Sequence, residues 1–121
     1  MFIEFCSKDM YGEEISDRYN AEKKYICGKT VYEYRDSISQ NKVIFDEESV
    51  EIHRNGETTG IIQIFNSEIG KFEYVTPFFK KIFSTKCEYI NKLKEGLKFK
   101  YAVCDGDEVM NVIEISIGEG V

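Results

Sequence analysis

Apolar and polar residues alternate along this chain in short runs, and turn-forming residues close each run. Phe2 to Ser7 alternates and is rich in aromatic and other strand-forming residues. Similar runs span 19–26 (closed by Cys27-Gly28-Lys29), 30–34, 42–45, 50–54, 61–65, 72–76, 97–104 and 109–117. A period of two places successive side chains on opposite faces of a strand. Asn55-Gly56 and Asp105-Gly106 fall between such runs, and both dipeptides tolerate the positive φ that tight hairpins need. Many short strands in antiparallel succession predict a sandwich or a barrel. We expect an all-β fold, an antiparallel barrel of about eight to ten strands, since closure leaves no edge exposed to aggregation.

One segment disputes this. Thr76-Pro77, then Phe79, Ile82, Phe83, Cys87, Ile90 and Leu93, then Gly96, reads as a helix with Thr76 as N-cap and Gly96 as the stop. The same residues read as a strand with Phe83, Thr85, Cys87 and Tyr89 on one side. On pattern alone the helix has a slight edge, and 77–95 stays open between the two.

Length and composition narrow the class. The chain of 121 residues has one proline and no Gly/Ser-rich linker, so a single domain over 1–121 is expected. Nine Phe and eight Tyr argue against disorder. The net charge of −6 argues against nucleic acid and against an anionic membrane surface as partners. The lysines crowd into one stretch, Lys80, Lys81, Lys86, Lys92, Lys94, Lys98 and Lys100, and the ordinary reading is a solvated face beside apolar strands. No basic start leads into an apolar run, and no stretch reaches the ~20 apolar residues of a membrane span. A cytoplasmic protein with reduced thiols is the expectation. Cys6, Cys27, Cys87 and Cys104 form no C-x-x-C pair and have no histidine cluster, so each is expected as a small buried hydrophobe and no metal is expected. Dinucleotide and phosphate-loop motifs are missing, so no cofactor is expected.

From Val50 onward an ordered set of motifs carries a family resemblance. Val50 to Gly56 looks like a strand ending in an Arg-x-Gly turn. Tyr74-Val75-Thr76-Pro77-Phe78 looks like a Tyr-x-Thr-Pro-aromatic segment, and Ser84-Thr85-Lys86 like the strand after it. Leu97 to Tyr101, Asp105-Gly106 and 111–117 match a last hairpin. In these motifs the chain resembles the bacterial domain-of-unknown-function family 1934. The resemblance covers roughly the last 70 residues, with an outline match before them. It implies a calycin-like, lipocalin-type barrel and favours the strand reading of 77–95. It brings no activity, substrate or catalytic residue.

Candidate chemistry is sparse. His53, the sole histidine, shares parity with Glu51 and is expected on the solvent face. Arg54 shares parity with Val50 and Ile52, which points it inward near a barrel end. There it could clamp an anion, or pair with a carboxylate such as Glu73 or Asp36. Tyr32, Tyr34, Tyr74 and Tyr101 could line a ligand cavity or fill the core. The carboxylate pairs Glu13-Glu14, Glu47-Glu48 and Asp105 with Asp107 read as solvated turns, because a calcium loop from Asp105 would put Ser116 where a bidentate Glu belongs.

Two functions follow. The preferred one is a binding module that holds a small apolar or amphipathic molecule inside the barrel, with Arg54, Tyr34, Tyr74 and Tyr101 as its site. The alternative is a protein-interaction or structural domain with a fully packed barrel and no ligand, in which a homodimer is one partner. No nucleophile–base pair is visible, so an enzyme is the least favoured class.

Overall fold

The computed structural model describes residues 1–120. Its ten strands are β1 (Phe2–Asp9), β2 (Glu14–Ile26), β3 (Lys29–Arg35), β4 (Ser39–Phe45), β5 (Ser49–Gly56), β6 (Thr59–Phe65), β7 (Gly70–Val75), β8 (Lys80–Leu93), β9 (Gly96–Asp105) and β10 (Glu108–Gly120). Each pairs antiparallel with its neighbour in sequence, and β1 pairs with both β2 and β10, closing the barrel. Five hairpin connections, from β1–β2 to β9–β10, cluster at one end, called here the hairpin end. The other four connections and both termini mark the terminal end.

The alternation expected from sequence sets the inside and the outside. Ile3, Tyr32, Val43, Phe45, Val50, Ile64, Leu97, Phe99 and Ile117 point inward and are at most 1% exposed. Aromatic and branched side chains thus fill the middle of the barrel. At the terminal end Glu119 shares the inward parity of Ile115 and Ile117. It accepts hydrogen bonds from Lys23 Nζ (2.8 Å) and Tyr32 OH (2.6 Å), and this trio plugs that end. Burial alone would raise the Glu119 pKa, but the hydrogen bonds from Lys23 and Tyr32 outweigh it and hold the carboxyl below its usual range.

The segment 77–95 is a strand and not a helix. Thr76 caps a turn: its Oγ1 accepts from Phe78 N (3.2 Å) and Phe79 N (3.1 Å), and Thr76 N donates back to Phe79 O (2.9 Å). The helix-like spacing comes from a β-bulge. Cys87 pairs with Tyr101 and Tyr89 with Lys100, so Glu88 is the extra residue. The bulge reverses parity: Phe83, Cys87 and Ile90 all pack on the core although their separations are four and three. It also turns Tyr89 outward, where its hydroxyl donates to Glu114 Oε2 (2.8 Å), against the strand reading that grouped it with Phe83.

Two further expectations are corrected. Asn55-Gly56 ends β5 and does not form a hairpin tip, which belongs to residues 57 and 58. Gly56 is needed there for close approach, since a Cβ would lie 2.6 Å from Ile38 O. The tip with positive φ at both central residues is instead Cys27 (51°) and Gly28 (79°). Of the cysteines only Cys104 is buried; Cys6 and Cys27 are exposed because outward parity and a turn tip put them there.

β6 and β7 pair only as far as Ile62 opposite Phe72. Beyond that point the Gln63 carbonyl faces Gly70, where a Cβ would sit 2.0 Å from it, and the buried Thr85 hydroxyl donates to the same carbonyl at 2.6 Å. Thr85 thus replaces a missing ladder donor. Thr85→Val is expected to lose about 1–3 kcal/mol by stranding that carbonyl. Gly70→Ala is expected to lose about 1–3 kcal/mol or more through the backbone clash. Urea denaturation of each variant checks both values.

Candidate functional site at the hairpin end

Three of the four residues singled out for binding fall on one line. The inward-facing row of cross-strand partners reads Tyr34, Asn41, Arg54, Gly60, Tyr74, Lys81. Tyr34, Arg54 and Tyr74 therefore share one level near the hairpin end. Gly60 lies between Arg54 and Tyr74, and the Phe72 ring packs against it, 3.5 Å from where a Cβ would be.

The aromatics at this end are only partly buried, unlike those of the sealed middle. Tyr34 stacks on Tyr19 (4.7 Å between ring centres, 26°), and Phe5 leans on both. Across the barrel Tyr74 meets Phe72 edge-on (6.1 Å, 83°), and Phe72 packs on Phe83 (5.8 Å). Burial raises the Tyr34 pKa, helped by the neighbouring Tyr19 and Asp36 and opposed by Arg54. Tyr34 is thus a neutral phenol at any ordinary pH, able to donate a hydrogen bond.

The two cations of the row differ in their commitments. Lys81 is paired with Asp105 (3.2 Å) and lies over the Phe83 ring (5.6 Å). Arg54 comes only to 4.0 Å of Asp36 and makes no hydrogen bond among the described residues. Asp36 is occupied elsewhere. It accepts from Ile38 N (2.9 Å), Ser39 N (2.8 Å), Ser39 Oγ (2.9 Å) and Asn41 Nδ2 (3.2 Å), which pins the β3–β4 loop. Of the two partners suggested by sequence, Asp36 is the one nearby, while Glu73 pairs with Lys80 (2.9 Å). The guanidinium keeps its donor fork open to the mouth, with its side chain 44% exposed.

Tyr101 stands apart from this row. It pairs with Cys87 and Ile113, stacks on Phe99 (5.8 Å, 15°) and is 2% exposed. No fully buried side-chain polar atom lacks a partner, yet the Tyr101 hydroxyl hydrogen-bonds to nothing among the described residues. That inward-facing oxygen therefore touches open space. Tyr32, also a candidate, belongs to the opposite plug. Tyr19, Phe5 and Phe72 were not singled out from sequence. Tyr19 was within reach, since it shares parity with Ala21, but Glu14 to Arg18 lack the apolar alternation that would have extended β2 back past it.

His53 is on the outer wall, with Nε2 2.7 Å from Glu51 Oε1, as its parity predicts. It borders a groove of about 640 Å³ across the outer faces of β2 to β5. Polar and charged residues such as Glu33, Gln40 and Lys42 line that groove, and Glu33 is already bound to Lys24 (3.2 Å) and Lys42 (3.6 Å). No group of three or more metal-ligating side chains occurs among the described residues, and no helix is long and apolar enough to cross a membrane.

The architecture is that of a ten-stranded up-and-down antiparallel barrel with a filled centre and partly buried aromatics towards its hairpin end. Among solved structures the chain is similar to the crystal structure of the ywiB protein from Bacillus subtilis. The TM-score is 0.73 at 16% identity, over 99% of this chain and 89% of that one, a likeness of fold. No protein-family model and no curated protein matches the sequence.

Asp36 and Arg54 are separable by experiment. Burial raises the Asp36 pKa, but the hydrogen bonds from Ile38, Ser39 and Asn41 outweigh it, so the folded value lies below the usual one. Its contribution is complete above the unfolded value of about 3.9 and is lost as pH falls through the lower folded value. Asp36→Asn should lower stability at neutral pH and flatten the acid limb of the stability–pH profile below about pH 4. Arg54→Ala should change stability by less than about 0.5 kcal/mol, as expected of a loose exposed pair.

Proposed function

We propose that this barrel is a non-enzymatic binding module that takes a small amphipathic molecule through its hairpin end. The observation that carries this reading is the Tyr101 hydroxyl, inward-facing, in a residue almost wholly buried, and without a partner. Because no buried side-chain polar atom among the described residues lacks a partner, this hydroxyl reaches open space, where water or the polar group of a ligand can meet it. In the row nearer the mouth, Tyr34 offers a phenol with no hydrogen bond among the described residues, Arg54 a guanidinium only loosely paired with Asp36 for a carboxylate or similar head, and Phe5, Tyr19, Phe72 and Tyr74 aromatic surface. Because the middle is filled, the ligand enters as far as the aromatic level and does not thread the barrel. Against an enzyme stands the sole histidine, held by Glu51 on the outer wall.

The same reading places the chain with the bacterial domain-of-unknown-function family 1934 and its calycin-like barrels. Thr76-Pro77 at a hairpin turn and the closed meander support that placement. Four free cysteines support a reducing, cytoplasmic setting.

A second reading has its own observation. The hairpin tips around the mouth carry exposed apolar side chains: Met10 and Tyr11, Ile38, Phe78 at 92% exposure with Phe79, and Met110. A rim of this kind suits a protein surface, and a second copy of the chain is the partner we favour for it. Lys80 at the start of β8 and Asp107 on the neighbouring β9–β10 tip give the rim both signs of charge, as a self-complementary contact requires.

Fluorescence titration with a fatty-acid probe tests the first reading. Saturable uptake should weaken roughly tenfold in Arg54→Ala and in Tyr101→Phe, which is about 1.4 kcal/mol each. Tyr101→Phe should leave stability within about 1 kcal/mol, since no protein hydrogen bond is removed. Absence of uptake, together with a wild-type dimer that Phe78→Asp converts to monomer in light scattering, would replace the first reading with the second.

A further inference from the structure

We infer that the terminal end of the barrel carries a separate site for a small aromatic or apolar anion, its charged oxygens held by Lys92, Lys94 and Thr30. The site does not rest on the hairpin-end reading, because the two lie at opposite ends with the filled core between them.

A cleft of about 220 Å³ opens beside the Glu119 plug. Lys92 and Lys94 line it. Most lysines of this chain lie within 4.0 Å of a carboxylate, as Lys24, Lys42, Lys80 and Lys81 do. Lys92 and Lys94 make no ion pair and no hydrogen bond among the described residues. Two lysines lining one cleft and unpaired among the described residues, in a chain of net charge −6, favour a local field opposite in sign to the whole.

Glu119, the one acid in the lining among the described residues, does not cancel that field. Glu119 is neutralised by Lys23 at 2.8 Å and satisfied by the Tyr32 hydroxyl at 2.6 Å. Lys23 in turn lies over the Tyr25 ring (5.4 Å), which holds that ring against the cleft.

Thr30 supplies the second, independent observation. It is 4% exposed, faces the cleft from β3, and its hydroxyl hydrogen-bonds to nothing among the described residues. Among the described residues no fully buried polar side-chain atom lacks a partner, so this oxygen opens onto the cleft. It is placed to donate to an anionic oxygen. Tyr25 and Leu93, both lining residues, are large and well exposed, and they offer apolar walls to the body of the ligand. Amines, a hydroxyl donor and apolar walls together select a carboxylate or a phosphate monoester that carries a ring or short chain.

The experiment is an amide-resonance titration of the full chain at fixed ionic strength, with benzoate in one arm, phenyl phosphate in a second and inorganic phosphate in a third. We expect saturable shifts at Thr30, Lys92, Lys94 and Gly96 with at least one aromatic anion, binding roughly tenfold more tightly than inorganic phosphate. The arm that binds more tightly identifies the head group. Lys92→Gln/Lys94→Gln should weaken that binding at least roughly tenfold, and Thr30→Val roughly threefold, with wild-type melting temperatures as the check on folding. The inference is overturned if neither aromatic anion saturates by roughly 10 mM, or if the double lysine variant binds as the wild type does.

Discussion

A ring of ten strands closes only if hydrogen-bonded register is carried all the way round, and that depends on a few places where two backbones come closer than side chains allow. At Gly70 the Gln63 carbonyl occupies the space a Cβ would need, and at Gly96 the Ile117 carbonyl does the same, at 2.2 Å. At the first crossing β6 leaves its ladder with β7, and the Thr85 hydroxyl satisfies the carbonyl left over. At the second, β9 starts against the end of β10, and Glu119 N donates to Glu95 O (2.8 Å). Once these crossings are made, alternation fixes which side chains enter the barrel. The filled middle and both ends follow from it.

Much of this was legible in the sequence because alternation is a local signal. The strands from 30–34 through 72–76 were readable from it, and so was the inward parity that brings Tyr34, Arg54 and Tyr74 to one level. Errors arose where a local signal had two physical causes. Separations of four and three between Phe83, Cys87 and Ile90 suit a helix face, and they equally suit a strand whose parity is reset by a bulge at Glu88. Asn55-Gly56 carries hairpin chemistry, but here the glycine answers a steric demand from Ile38 across the loop. The tip that does use positive φ twice is Cys27-Gly28, where the signal was half hidden by a cysteine. The exposed positions of Cys6 and Cys27 show the limit of reading a residue type without its parity.

The site was legible only in part, because composition does not report which polar groups are already committed. Arg54 and Lys81 look equivalent in sequence. Only the register shows Lys81 engaged by Asp105 while the acceptors of Asp36 are taken by its own loop, which leaves the Arg54 fork unused. The same holds for tyrosine. Tyr32 donates to Glu119 and seals one end, whereas Tyr101, nearly as buried, donates to nothing among the described residues. Hydrogen-bond accounting across the barrel separates these phenols, and no local pattern could have done so.

The two ends differ because the same alternation is terminated differently. At the terminal end the last inward position of β10 is a carboxylate, and a buried carboxylate requires a cation and a donor; Lys23 and Tyr32 supply them and close the barrel. At the hairpin end the last inward positions are aromatics and an arginine, groups that tolerate partial exposure, so that end needs no plug. With the centre filled, unsatisfied polar groups can persist only where water or another molecule reaches them. The hydroxyl of Thr30 and the guanidinium of Arg54, neither hydrogen-bonded among the described residues, stand at the two ends for that reason.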